Sequence, residues 1–88
     1  MAESGAGGAG GEVKVKAIGY LTRHLPGGGP VSVPVPPGGS VTAGEAMRLA
    51  GIPDEQVFVI ISGGKRVKPD HELRAGDEVT FVPPVAGG

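Results

Sequence analysis

Cysteine and tryptophan are both absent from the 88 residues, and one tyrosine and two phenylalanines are the whole aromatic complement. Without cysteine there is no disulfide, no thiolate metal site and no thiol nucleophile, and an intracellular, cytoplasmic setting is the natural expectation. So few rings build no stacking platform for nucleic-acid bases. An excess of one charge is missing too: eight Lys and Arg stand against nine Asp and Glu, a net charge of −1. That balance provides no broad basic surface for a polyanion. No apolar run approaches the ~20 residues that cross a bilayer. The opening MAESGAGGAGG lacks the basic start and apolar middle of a secretory signal.

Glycine and proline are what the chain has in plenty, 18 and 9 of them. They are clustered: five glycines fall in the first eleven residues, where no residue is more apolar than alanine except Met1. Such a segment has nothing to bury, so residues 1–11 are expected to be a disordered arm. The folding unit is then residues 12–82, followed by a flexible tail, residues 83–88. That is one small domain, near the size at which a single core is only just sufficient.

VKVKAIGY begins with alternation, Val13, Val15 and Ala17 on one face and Lys14 and Lys16 on the other. Ile18 and Tyr20 then make the second face apolar, which predicts a strand whose far end is covered. LTRHLPGGGP reads as a loop. VSVPV, residues 31–35, alternates again, and Pro34 cannot donate to a ladder, so this strand is placed at an edge. Thr42 and Glu45 fit a capping box, with Val41 and Ala46 placed for a hydrophobic staple. Ala43, Ala46, Met47 and Ala50 form one apolar stripe; Gly51, Ile52 and Pro53 then end the helix. VFVIIS, residues 57–62, is a continuous apolar run of strand length and reads as a buried strand. Gly63 and Gly64 turn the chain into a short strand at residues 65–68. A loop follows over residues 69–76 with Leu73 inward, and a last strand over residues 78–82. One helix across a mixed sheet of four to five strands, the first and last strands side by side in the middle, is the compact solution for this order. The expected fold is α+β, a ubiquitin-like β-grasp roll.

Few residues carry chemistry. Gly27, Gly28 and Gly29 open no helix and precede no Lys-Ser/Thr pair, so they read as a loop rather than a phosphate cradle. His24 and His71 have no ligand spacing, and no metal site is expected. Asp70, Glu72, Asp77 and Glu78 read as solvated loop charges. With no nucleophile beside a base, the chain is not expected to be an enzyme on its own. Lys65, Arg66 and Lys68 form the one basic cluster. GGKRVKPDHELRAGDEV is similar to the end of the S4 RNA-binding module, and an RNA-binding β-grasp module is one alternative function. The preceding helix, however, carries only Arg48 as a cation, against Glu45.

The end, PPVAGG, is the stretch with most to say. Gly87 and Gly88 lack a Cβ and can pass a narrow channel. Pro83 and Pro84 stiffen the exit and remove two backbone donors. In IGYLTRHLPGG, GSVTAGEAM, GDEVTF and above all PPVAGG, the chain resembles the sulfur-carrier family that includes the small subunit of molybdopterin synthase and the thiamine-biosynthesis sulfur carrier. The resemblance implies that Gly88 is the carrier residue, reached through Val85, Ala86 and Gly87. Its carboxylate is adenylated by a ubiquitin-activating-like adenylyltransferase that consumes ATP, and is then converted to a thiocarboxylate. No bound cofactor is expected. The Pro-Pro-Val step favours the molybdopterin branch, with the large subunit of molybdopterin synthase as second partner. Phe81, Val82, Pro83 and Pro84 are the expected partner-binding surface. Sulfur delivery to thiamine or cysteine biosynthesis and a ubiquitin-like protein modifier remain as alternatives.

Overall fold

The computed structural model describes residues 11–84. Of the arm expected over residues 1–11, residues 1–10 lie outside the described residues, as do Val85, Ala86, Gly87 and Gly88, whereas Gly11 lies in a strand, paired with Val35. Strand β1 runs Gly11–Ala17, β2 Val31–Val35, β3 Val41–Thr42, helix α1 Ala43–Leu49, β4 Val59–Ser62, β5 Lys65–Val67, β6 Glu72–Leu73 and β7 Glu78–Val82. The main sheet has the order β2-β1-β7-β4-β5, and β3 pairs with β6 in a second, two-stranded sheet. β1 and β7 lie side by side and parallel, with Val15 opposite Val79 and Ala17 opposite Phe81. Every other neighbouring pair is antiparallel. This is the expected α+β β-grasp roll, and β2, with its Pro34, is an edge strand.

Helix α1 starts as its sequence dictates. The Glu45 N–H donates to Thr42 Oγ1 at 3.1 Å, and the Thr42 N–H donates to Glu45 Oε1 at 2.9 Å, so two otherwise orphaned donors are satisfied. It ends at Gly51, φ 84°, where the Gly51 N–H donates to Arg48 and the Ile52 N–H to Met47, both carbonyls at 3.0 Å. That pair of bonds is a Schellman ending, and Pro53 lies beyond it. Two turns of helix bury Ala43, Ala46 and Met47 against one face of the sheet. The N-terminal turn docks on the returning loop: the Ala43 N–H donates to His71 and the Gly44 N–H to Pro69, each at 2.8 Å. A Cβ at position 44 would stand 3.4 Å from the Pro69 carbonyl oxygen, an ordinary contact. Gly44→Ala should therefore stabilise the domain by about 0.5–1 kcal/mol through helix propensity. Urea denaturation should show the higher midpoint; a lower one would mean that the Pro69 loop cannot yield.

Several sequence expectations change. The first strand stops at Ala17 because Gly19, φ 62°, turns the chain into a 3-10 helix, Gly19–His24, within what reads as a loop. Its Leu21 and the following Leu25 are buried and fill the part of the core that two helical turns leave open. Ile18 and Tyr20, expected on a covered face, are 49% and 41% exposed. The run VFVIIS is not a buried strand either: Ile60 is buried, Val59 and Ile61 are half-buried, and Phe58 is 64% exposed. One helix covers one face of a sheet, and nothing among the described residues covers the other. The loop between β5 and β7 contains β6, whose fully buried Leu73 faces Val41 in register. No helix is long and apolar enough to cross a membrane.

Candidate functional site at the end of the last strand

β7 is held on both sides up to its last residue. On one flank the Ile18 N–H donates to the Phe81 carbonyl at 3.2 Å. On the other the Phe58 N–H donates to the Val82 carbonyl at 2.8 Å, and Val59 stands opposite Val82. Pro83 and Pro84 then offer no N–H, so the ladder stops there and the backbone leaves the sheet. Pro83 is buried and sits over Gly19, where a Cβ would lie 3.0 Å from the proline Cγ. Position 19 thus needs glycine twice, for its positive φ and for the ring above it. Gly19→Ala should cost about 1–2 kcal/mol from the left-handed backbone alone. It should also displace Pro83, visible as a lower urea midpoint with chemical-shift changes at Ile18, Phe81 and Val82.

The structure divides the four expected partner-binding residues. Phe81 is fully buried, the largest side chain in the core, and is not available for docking. Pro83 is buried as well, Val82 is half-buried, and Pro84 alone is exposed. The exposed apolar groups at the exit are others. Ile18 and Tyr20 stand on the β1 flank and Phe58 on the β4 flank. Arg23 lies 5.9 Å from the Tyr20 ring centre and caps that flank with positive charge. A signal for the β1 flank of this collar was present in the sequence: Ile18 continues the alternation of Lys14 and Lys16, on the face that a single short helix leaves uncovered.

The polar candidates have structural roles. His24 Nε2 lies 3.0 Å from Gln56 Oε1 and ties the 3-10 helix to the segment before β4. The Asp77 carboxylate accepts from the Arg74 N–H at 2.9 Å and shapes the turn into β7 rather than standing free in solvent. Lys16 and Glu78 form an exposed cross-strand pair at 3.3 Å, worth little. Among the described residues no three His, Asp or Glu side chains are grouped to hold a metal ion.

A sequence profile described as the ThiS family matches residues 27–88, from the glycine loop through the terminal glycine pair. The chain belongs to the ThiS family. Among solved structures, this ThiS-family protein is similar to SAMP1 from Haloferax volcanii, with a TM-score of 0.62 and 25% identity over 89% of this chain and all of that one. A second crystal structure, of H. volcanii small archaeal modifier protein 1, superposes with a TM-score of 0.61 over 86% of this chain and all of that one; at 22% identity it speaks for the fold alone. No curated protein matches the chain. The ThiS-family protein is thus a small β-grasp protein of the class shared by sulfur carriers and ubiquitin-like modifiers.

Proposed function

We propose that the protein is a sulfur carrier whose Gly88 is activated and loaded by partner enzymes. The observation that carries this reading is the family match reaching through Gly87 and Gly88, on a fold whose last strand is anchored up to Val82 and freed by two prolines. A carboxylate is a poor acyl electrophile, so its activation needs a co-substrate. An adenylyltransferase of the ubiquitin-activating type joins the Gly88 carboxylate oxygen to the α-phosphorus of ATP and releases pyrophosphate. Hydrosulfide released by a sulfur donor then attacks the carbonyl carbon; the new C–S bond forms as the C–O bond to AMP breaks, and loss of the S–H proton leaves the thiocarboxylate. When an acceptor takes the sulfur, water supplies the oxygen that restores the carboxylate. The chain holds no cofactor in this scheme; ATP belongs to the partner. The absence of cysteine suits it, since no side-chain thiol competes for the activated carboxyl group.

The acceptor favoured by Pro83-Pro84-Val85 is a pterin precursor in molybdopterin biosynthesis, with the large subunit of molybdopterin synthase as the second partner. Ile18, Tyr20 and Phe58 around the strand end replace Phe81 as the apolar groups that these partners grip, beside Val82 and Pro84. The likeness to SAMP1 supports a second reading, in which the adenylated tail is passed to lysines of other proteins.

Intact mass after incubation with ATP, a sulfur donor and the adenylyltransferase of the same cell tests the first reading. The expected result is a gain equal to one oxygen replaced by sulfur. Loading without any pterin-directed transfer, together with isopeptide adducts in lysate, would move the assignment to the modifier reading. Neither an adenylate nor a sulfur gain with a demonstrably active partner would remove both.

A further inference from the structure

The basic cluster Lys65, Arg66 and Lys68 plays no part in the carrier chemistry, yet it borders a feature that the chemistry leaves unused. β5 is the outermost strand of the five-stranded sheet. Its register pairs Ser62 with Lys65, Ile61 with Arg66 and Ile60 with Val67. Gly63 and Gly64, at φ 62° and 78°, make the two-residue turn of this hairpin. In such a hairpin the pair flanking the turn exchanges both hydrogen bonds and the next pair exchanges none. Arg66 therefore directs its backbone N–H and C=O away from β4, toward the open edge.

Beside that edge lies a groove of about 650 Å³ between α1 and the β4–β5 hairpin. Its apolar lining includes Met47 from the helix, Val57 and Phe58 from the segment before β4, and Val67 from β5. Arg66 and Lys68 line it as well, with Asp54 as its one acid. An open strand edge, an apolar groove alongside it and two cations on the strand side match one kind of occupant. A backbone in extended conformation pairs with Arg66, its apolar side chains enter the groove, and an acidic side chain meets Arg66 and Lys68. We propose that this groove binds an extended acidic-apolar segment of a partner protein, taken up as a sixth strand on β5.

A nucleic acid is the poorer fit. With Phe58 as its single aromatic ring, mostly apolar walls and Asp54 set against its two cations, the lining offers neither a stacking platform nor a continuous basic track. The site is also distinct from the grip on the tail, since Phe58 is the only residue it shares with the apolar collar around Val82. A partner bound along β5 leaves Ile18 and Tyr20 uncovered but covers Phe58, so it competes with an enzyme that grips the strand end through that ring.

The experiment uses the full chain labelled with 15N and the blocked hexapeptide Glu-Asp-Val-Ile-Val-Thr. The same peptide N-methylated at its central isoleucine, a Lys-Lys-Val-Ile-Val-Thr control and a uridine decamer complete the set. The acidic peptide should shift the amide signals of Val57, Arg66, Val67 and Lys68 and slow exchange of the Arg66 amide proton. N-methylation, the basic control and the variant Arg66→Glu should each weaken binding by about tenfold or more. The N-methylated probe needs no protein variant, so a folding defect in Arg66→Glu would not blunt the test. Shifts centred on other residues, binding indifferent to N-methylation, no shift at millimolar peptide, or stronger perturbation of the same residues by the uridine decamer would each overturn the proposal.

Discussion

Deleting Gly87 and Gly88 should abolish thiocarboxylate formation while leaving the stability of the domain unchanged. Every buried hydrophobic among the described residues lies between Val13 and Phe81, and the last backbone bond of the sheet is accepted by Val82. The core and the sheet bonds among the described residues are complete before the final pair, so the urea midpoint should stay where it is. The chemistry should not survive. Two residues of extended chain span about 7 Å, and a misplacement of even ~1 Å in a reacting group costs on the order of 100-fold. The sulfur-loading rate should fall by at least about 1,000-fold, read as the mass gain against time. Gly88→Ala, which keeps the reach and adds only a Cβ, should load at a reduced but measurable rate. If the shortened chain still gained sulfur, the reactive group would lie elsewhere and the proposed carrier chemistry would be wrong.

Phe81 and Phe58 should separate cleanly, although they stand near one another at the same end of the sheet. Phe81 is fully buried beneath the helix side of the sheet, and Phe81→Ala should cost about 3–5 kcal/mol. Set against the ~5–15 kcal/mol of a whole domain, that is a large share for a chain this short. Extensive unfolding at room temperature is the expected outcome by circular dichroism. Phe58 is 64% exposed, so Phe58→Ala should change stability by less than ~0.5 kcal/mol. Its effect should fall on association with the adenylyltransferase: an aromatic anchor is worth ~2 kcal/mol, or ~30-fold in affinity by calorimetry. A folded Phe81→Ala with lost binding, paired with an inert Phe58→Ala, would reverse the two assignments.

Local chemistry is where the sequence was most transparent. The capping box at Thr42 and Glu45, the Gly51 ending and the Gly63-Gly64 turn are each set by residues within a few positions of one another, and each forms as read. The pairing of the first and last strands was also legible, because a single helix between hairpins leaves few other ways to close a sheet. What escaped depends on distant parts of the chain. β3 and β6 are two residues each, too short for alternation to show, and exist because Val41 meets Leu73 across 32 positions of sequence. Leu21 and Leu25 belong to the core because α1 is only two turns long, a shortfall that local propensity does not display. At the candidate site, the end of the ladder at Val82 was readable from Pro83 and Pro84. Its surroundings were not: a hydrophobic run such as VFVIIS is equally compatible with a strand covered on both faces and with one left open for a partner. Which holds is decided by how many layers the whole chain can supply.

The parallel pairing of β1 with β7 also has a consequence for the order of events in synthesis. β7 is the central partner of β1 and β4, so until residues 78–82 have left the ribosome the main sheet exists only as two separate hairpins, β1–β2 and β4–β5. Two-stranded hairpins are marginal alone in water. The contacts that join them span most of the chain, which makes closure late and slow compared with local structure. The strand that completes the fold and the tail proposed to carry the reactive carboxylate are consecutive in sequence. A chain that stops before β7 therefore presents neither a closed sheet nor an end to be activated.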